Sequence, residues 1–581
     1  KTEVVSRKGK ETEAFDRFKK FYDAFEGKNR INTLTDQLLN ILHTVNSKSL
    51  MWMNLTAALK NIGTGHINIV SEATGGEFTT KATLLKAHEM YIKALPSLWA
   101  SLGEYTCNNL DAALMKLAGN IFEDHIEAGV DTKTNIVSLG MSKWDNVMFA
   151  PNTIGEHYLQ FATFLSAMQT HRIVAGTIMN YDQFVFSLRE RLFRDMVDDE
   201  TYTKYKVYKD KQESVKGNNV EFIDYLSRFI AYRANNFTNE WKSNYAKAYK
   251  EGLKNARVEF EKNQVIYDAF ELKDGIASIK AESNITLEDF AKFLGKVKGV
   301  NHSLHGIYNT FDKSMLSGKM WGEVILQFRK WLRPNFIRYW GKRVGKIVFD
   351  ERLESYRSGA YMDMINFLLS NGKSAYRETI DKAIENDEDI DFATKAKAIF
   401  NGFCGLLYWF KDINFRYNTL PQAQKANIKR AMFNFTTLVG LSLVAASLYA
   451  AKDDDDELNE NRFFALACYT IYGVQTELYE TSPWGLYSFY KRTMEAPIPF
   501  ETSMSNVLNL AYWTLIAPMI VDDEEMLYDR GTYKDEDKRW IAFKKTIPLF
   551  NQYNKMFYLP KNNTYYMQQN PILQMIVELN K

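Results

Sequence analysis

Residues 15–45, FDRFKKFYDAFEGKNRINTLTDQLLNILHTV, contain the pattern that decides the fold class. Phe15, Phe18, Tyr22 and Phe25 recur at spacings of three and four residues. After Gly27 the same spacing continues in a second run, made of Ile31, Leu34, Leu38, Ile41 and Val45. Apolar residues at this period share one face of an α-helix, and Gly27 is typical of a helix end. The stretch therefore predicts two consecutive amphipathic helices.

The rest of the chain extends this pattern. Only 11 Pro and 30 Gly occur in 581 residues, which favours long helices over many short strands and turns. We predict a mainly α, elongated, multi-lobed helical protein with minor short β elements. The predicted segments are helices at 82–102 (with a kink at Pro96), 154–179, 221–272 and 286–298, a glycine-rich loop at 61–80, a strand around 137–141, and a hairpin or exposed excursion at 200–219.

Composition limits the class of protein. The chain is 46% hydrophobic and 25% charged, as expected of folded rather than disordered sequence. Its formal charge of +2 gives no overall attraction to nucleic acid, so any such preference has to be local. The three cysteines, Cys107, Cys404 and Cys468, are too far apart to indicate a disulfide framework or a zinc cluster.

A chain of this length exceeds one hydrophobic core, and composition shifts divide it into four regions. These are an N-terminal helical region at 1–130 and a central helical region at 131–300, which carries the excursion near 200–219. A basic and aromatic helical region follows at 301–452 and ends in an apolar helix. The last is an aromatic-rich helical region at 453–581.

The strongest local charge pattern is KMWGEVILQFRKWLRPNFIRYWGKRVGK, residues 319–346, in which basic residues alternate with aromatic rings and Glu323 is the single acid. Cations pair with phosphates, and rings stack on bases or lie at a lipid interface, so the segment predicts nucleic-acid or membrane contact. The alternative is a helix pair whose aromatic face packs inward while its basic face is solvated. The candidate contact residues are Arg329, Lys330, Trp331, Arg333, Arg338, Trp340, Lys342, Arg343 and Lys346.

A second unusual segment is the uncharged run AMFNFTTLVGLSLVAASLYAA, residues 431–451. It is long enough to cross the hydrocarbon core of a bilayer, but its Asn, Thr and Ser residues dilute its apolarity. A buried central helix and a conditional membrane span are therefore both open.

No catalytic signature stands out. Asp387, Asp389 and Asp391 form a D-x-D-x-D pattern that can hold catalytic magnesium, but an acidic loop between helices explains it more simply. His302 and His305 form an isolated H-x-x-H without a third ligand. The sequence lacks P-loop, G-x-G-x-x-G, G-x-S-x-G and H-E-x-x-H motifs. We therefore predict a protein without enzymatic activity, cofactor or metal.

Two motifs carry a family resemblance: W-G-x3-L-Q-F-R-x-W-L-R-P at Trp321 to Pro334, and F-D-E-R-L-E-S-Y-R-S-G-A-Y at Phe349 to Tyr361. With the apolar run and its acidic tail in similar order, the chain resembles large virion cargo or ejection proteins of crAss-like bacteriophages. The resemblance implies a protein carried inside the capsid or tail and ejected with the genome into the host cell. It also implies partners among other virion proteins (portal, tail or further cargo chains), phage DNA and the host membrane.

Two alternatives follow from the same features. One is a membrane-inserting conduit component used in genome delivery, with 431–451 as its inserting segment. The other is a fragment of a virion-associated enzyme, because the family that the chain resembles includes giant RNA polymerases. The expected turn glycine of a polymerase magnesium loop is Ile390 here, which argues against that role.

Overall fold

The computed structural model describes residues 55–101, 106–122, 142–216, 237–305, 332–344, 358–369, 416–453, 462–483, 501–530 and 533–546, together with a few shorter pieces. Of the described residues, 77% are helical and the strands are short and antiparallel, so the predicted mainly α class is confirmed. The two predicted helices within 15–45 and the predicted strand at 137–141 lie outside the described residues.

The elements follow one another in this order. The N-terminal and central helices are α1 Leu55–Gly75, α2 Lys81–Ala100, α3 Leu110–Phe122, α4 Ser142–Thr170, α5 Tyr181–Phe184, α6 Leu188–Met196, α7 Asp199–Lys216, α8 Asn239–Glu261 and α9 Leu287–His305. The later helices are α10 Leu332–Val344, α11 Gln422–Asp453, α12 Arg462–Thr481, α13 Glu501–Ala511 and α14 Lys538–Thr546. The strands are β1 Arg172–Val174, β2 Thr177–Met179, β3 Gln264–Val265, β4 Phe270–Lys273, β5 Ile276–Ile279, β6 Phe349–Asp350 and β7 Ser355–Tyr356.

The glycine-rich stretch at 61–80, predicted as a loop, is mostly helix α1, so this prediction is wrong. Its glycines permit close helix packing. A Cβ on Gly65 would lie 2.3 Å from Leu159 Cδ1 of α4, and one on Gly63 would lie 3.0 Å from Val474 Cγ2 of α12. A side chain at either position would force Leu159 or Val474 to move, so the glycines serve tertiary contact rather than a turn.

The apolar segment 154–179 is not one helix, contrary to prediction. Helix α4 ends at Thr170, and β1 and β2 then form an antiparallel hairpin with Ile173 opposite Ile178. The turn consists of Ala175 and Gly176, whose φ values are 49° and 79°. Two consecutive residues of positive φ are typical of a tight hairpin turn, which matches the twist of the strands. The predicted helix 221–272 is likewise interrupted, because β3 and β4 follow α8.

Residues 200–216, predicted as a hairpin or exposed excursion, belong to helix α7, so the hairpin prediction is wrong. One face of this helix is buried. Tyr205 is 2% exposed, its ring lies 5.4 Å from the rings of both Phe193 and Phe229, and its hydroxyl donates to Glu190 Oε1 at 2.8 Å. Tertiary burial of aromatic side chains therefore overrides the weak helix propensity of this Lys- and Tyr-rich segment.

Helices from distant parts of the chain pack directly on one another. Helix α1 contacts α2, α4, α11 and α12, and α10 contacts α9 and α12. Helix α9 continues to His305, past the end predicted at 298. The main hydrophobic cluster draws on α1 to α4, the strands and α9. The face of α1 opposite to α4 is therefore where the C-terminal helices meet the N-terminal ones.

Candidate functional site

A buried ionic junction joins α1 to α11. Arg430 Nη2 contacts Glu72 Oε1 at 2.5 Å and Glu77 Oε2 at 2.9 Å, and its Nη1 donates to Asn427 Oδ1 at 2.8 Å. The side chain of Arg430 is 3% exposed and those of both glutamates are 6% exposed. Burial alone would lower the pKa of Arg430, but the charges of Glu72 and Glu77 outweigh it and raise that pKa. The guanidinium therefore keeps its charge in the interior.

The local sequence at the end of α1 brings the two carboxylates together. The helix stops at Gly75, and Gly76 has a φ of 75°, a value that a glycine C-cap adopts without strain. The chain turns there and returns Glu77 beside Glu72. At Gly75 a Cβ would lie 2.7 Å from Arg430 Nε, so the missing side chain also makes room for the guanidinium.

A second arginine reaches the same face of α1 from α10. Arg338 donates from Nη1 to Asn68 Oδ1 at 3.0 Å and from Nη2 to the Asn68 carbonyl at 3.1 Å. Its Nη2 lies 4.0 Å from Glu72 Oε2, and the side chain is 8% exposed. Among these four charged residues two arginines face two glutamates, so their charges balance.

An aromatic centre adjoins this junction. Trp340 is 3% exposed and donates from Nε1 to the carbonyl of Thr481 at 2.9 Å. Tyr361 stacks on Tyr339 at 5.1 Å between ring centroids and lies 5.5 Å from the Trp340 ring. Gly359 permits this contact, since its Cβ would lie 2.3 Å from the Tyr339 carbonyl carbon.

These contacts place two of the nine residues predicted to contact nucleic acid or membrane. Both side chains are buried. Arg338 donates hydrogen bonds to Asn68 of α1, and Trp340 donates one to the carbonyl of Thr481 in α12. Trp340 packs inward, as in the alternative, whereas Arg338 is buried against α1 and is not solvated as that alternative expects. Arg333, Lys342 and Arg343 lie in α10, but their side chains are outside the described set, as are Arg329, Lys330, Trp331 and Lys346 altogether. Their contact role stays a prediction.

The ionic junction was not predicted from the sequence. Arg430 immediately precedes the uncharged run, and Glu72 is an isolated charge on the inner face of a helix. A lone charge at a position that the apolar pattern assigns to the core signals a buried partner. The sequence contains that signal, but it does not identify the partner.

The two faces of α11 differ in exposure and polarity. The inward positions Asn434 and Ser442 are polar and 1% and 2% exposed, and Gln475 of α12 donates to Ser442 Oγ at 2.6 Å. The outward positions are apolar: Met432, Phe435, Val439, Leu443 and Val444, with exposures between 43% and 60%. The described part of the run 431–451 is therefore packed on one face, where Leu438 and Ala445 are buried beside these polar residues, and exposed on the other. Within the part of the chain that the structure describes, no helix is both long enough and apolar enough to cross a membrane.

A histidine and tyrosine cluster joins α1, α2 and α4. His88 Nδ1 and the Tyr158 hydroxyl share a hydrogen bond of 2.9 Å, and the Tyr91 hydroxyl shares another of 2.9 Å with His157 Nδ1. Each of α2 and α4 thus supplies one histidine and one tyrosine to a crossed pair. His66 of α1 stacks on His88 with 5.3 Å between ring centroids. Burial lowers the pKa values of His66 and His88 and raises that of Tyr91 to about 12, so the cluster is neutral near pH 7.

The remaining sequence motifs lie only partly within the described residues. His302 and His305 lie in the last turn of α9, whereas Asp387, Asp389 and Asp391 lie outside the described residues. In the described ranges, no group of three or more His, Cys, Asp or Glu side chains could hold a metal ion. The arrangement of the junction suits fixed charge pairing between helices rather than proton transfer.

A pH dependence follows from His171, which is 1% exposed between Phe78 and Phe293. Burial lowers its pKa to about 3 from an ordinary 6.5. Between these two values the unfolded chain binds a proton at His171 and the folded chain does not. The free energy of unfolding therefore decreases as the pH falls from 6.5 toward 3. Between pH 7 and pH 4.5 we expect His171 to account for a loss of about 2 to 3 kcal/mol in the free energy of unfolding. Urea unfolding of the wild type and of His171→Gln at both pH values measures this loss. An equal loss of stability in the two proteins would contradict the role of His171.

Comparison of the chain with known protein families, with curated proteins and with solved structures finds no match.

Proposed function

We propose that this chain is a non-enzymatic bacteriophage virion protein, carried in the capsid or tail and ejected with the genome during infection. The resemblance at Trp321 to Pro334 and Phe349 to Tyr361 motivates the proposal. The helical fold is compatible with delivery through a narrow channel, because the local contacts within helices re-form quickly after unfolding.

The supporting observation is that side chains of the two motifs that carry the resemblance pack helices against one another. Arg338, Trp340 and Tyr361, which lie in or next to its two motifs, tie α10 and the helical segment 360–369 to α1 and α12. Because these three side chains pack helices together, the segment suits a role in assembly better than a role in catalysis. This supports a structural or cargo protein over the third hypothesis, a polymerase fragment.

Quantitative mass spectrometry of purified particles tests the proposal. Particles of the source phage are treated with protease while intact, and again after the genome is released. We expect peptides of this chain to be protected in intact particles and lost after release. Cleavage in both states would identify an external part, and absence from the particles would overturn the virion role.

A membrane-inserting conduit component is the second candidate function, favoured by the exposed apolar face of α11. Its test is Val444→Asp. Since Val444 is 46% exposed, we expect the variant to fold as the wild type does but to lose insertion of 431–451 into phospholipid vesicles.

Ser442→Asp is the matched control, because Ser442 is 2% exposed and bonded to Gln475. We expect this buried carboxylate to lower the melting temperature, whereas Val444→Asp leaves it unchanged. Vesicle insertion that survives Val444→Asp would remove the conduit hypothesis for this segment.

A further inference from the structure

The C-terminal part of the described chain is a helical hairpin. Helix α13 continues as a π-helical turn at Tyr512–Ile516 and a 3₁₀ turn at Ala517–Met519, and α14 returns beside it. Near the open end, the Thr546 hydroxyl donates to the carbonyl of Asn506 at 3.1 Å. The segment between the helices is closed by a bridge between Leu527 and Asp537. Its tip is anchored inside by Ala517 and Met526, which are 0% and 2% exposed.

Large apolar side chains cover the outer side of this hairpin. They recur at spacings of three and four residues from the end of α13 through the π-helical and 3₁₀ turns to Ile520: Leu508 60%, Tyr512 38%, Leu515 67%, Ile516 51%, Met519 84% and Ile520 67%. A side chain with two thirds or more of its surface exposed projects outward rather than lining a groove. Contiguous apolar patches of this kind are uncommon on soluble surfaces and mark interaction sites.

A set of aromatic rings paired with lysines, here called the collar, is formed by α14 and the segments around it, and α14 contacts the π-helical turn that carries part of the patch. Lys538 Nζ is 4.8 Å from the centroid of the Trp513 ring, Lys544 Nζ is 5.3 Å from that of Trp540, and Lys545 Nζ is 4.4 Å from that of Tyr533. Tryptophan and tyrosine next to lysine are the side chains that occupy the boundary between hydrocarbon and water, where the rings bury and the ammonium groups reach phosphate.

Acidic residues complete the collar. Asp522 directly follows the apolar tip, and Glu525 is exposed on the same loop. A strongly anionic surface would repel these carboxylates. A zwitterionic headgroup presents a phosphate to the lysines and an ammonium to the acids, so a collar of mixed sign complements it.

We propose that the 508–520 face is a docking surface for a zwitterionic phospholipid bilayer, into which the tip inserts at the depth of the headgroups. The site is distinct from 431–451, and it requires no membrane span. Projecting apolar side chains backed by a mixed-sign aromatic collar favour lipid over a protein groove, because the lipid surface deforms around each side chain. The inference does not depend on the virion role.

The test is flotation of the full chain with phosphatidylcholine vesicles, comparing the wild type with Leu515→Glu/Met519→Glu. We expect the double variant to bind at least about tenfold more weakly, because two inserted side chains are replaced by charges. The matched control is Leu85→Glu/Ile92→Glu on α2, whose residues are 72% and 63% exposed but belong to another surface. This control should float as the wild type does, and circular dichroism should show equal helix content in all three proteins.

Several outcomes would overturn the proposal. Equal flotation of the wild type and the Leu515→Glu/Met519→Glu variant places lipid contact elsewhere. Failure of the wild type to float removes lipid as the occupant and leaves a protein partner. Binding only to vesicles rich in phosphatidylglycerol, abolished by salt, identifies a basic surface instead, because the mixed-sign collar predicts no gain from anionic lipid.

Discussion

Replacing Arg430 with methionine is expected to lower the free energy of unfolding by about 3 to 5 kcal/mol, because Glu77 then loses its buried cation and Glu72 keeps only Arg338, 4.0 Å away. The loss should appear as a lower urea midpoint and a lower melting temperature by circular dichroism.

Two comparisons isolate the electrostatic origin of this loss. The double variant Arg430→Met/Glu77→Gln removes one charge of each sign and leaves Arg338 facing Glu72, so we expect it to recover most of the lost stability. Lys204→Met breaks an exposed pair with Glu200, 60% and 75% exposed, and should cost less than about 0.5 kcal/mol. If the double variant were as unstable as Arg430→Met, packing rather than charge would hold α1 to α11.

Gly359→Ala is the second substitution with a large expected effect. Its Cβ would lie 2.3 Å from both the carbonyl carbon and the oxygen of Tyr339, and 2.4 Å from the Trp340 nitrogen. These are backbone atoms of α10, so no side-chain rotation relieves the clash. We expect a loss of about 3 kcal/mol in the free energy of unfolding, measured by urea denaturation.

Gly440→Ala is the matched control, because Gly440 lies inside α11 and a Cβ there meets nothing within 4 Å. Alanine is the better helix former, so this variant should gain up to about 1 kcal/mol. A Gly359→Ala protein as stable as the wild type would contradict the close approach of the 360–369 segment to α10.

Hydrophobic periodicity was enough to predict the fold class but not the role of each glycine. Helix α2 was expected from its spacing, and it passes through Pro96. Gly63 and Gly65 were interpreted as loop residues, yet they lie in α1, where Leu159 and Val474 occupy the space beside them. The sequence shows the absence of a side chain, and only the tertiary fold shows what fills its place.

The same limit applies to charge. Arg338 lies in the most basic segment of the chain, which suggests a surface that binds phosphate. Its partner is Asn68, which lies 270 positions earlier in the sequence. The pattern around Arg338 is local and the partner is not, so local analysis could identify the unusual residue but could not predict its burial. The crossed pairs of His88 with Tyr158 and Tyr91 with His157 escaped prediction for the same reason.

The ionic junction also limits the order in which helices can pack during synthesis of the chain. Glu72 and Arg430 are 358 positions apart. At an elongation rate of roughly 5 to 20 residues per second, the ribosome needs roughly 20 to 70 s to make the intervening chain. Within that interval only Arg338 becomes available to Glu72, and Glu77 has no arginine until Arg430 is made. The nascent chain can therefore pack α1, α2 and α4 early, but the junction closes only when α11 leaves the ribosome.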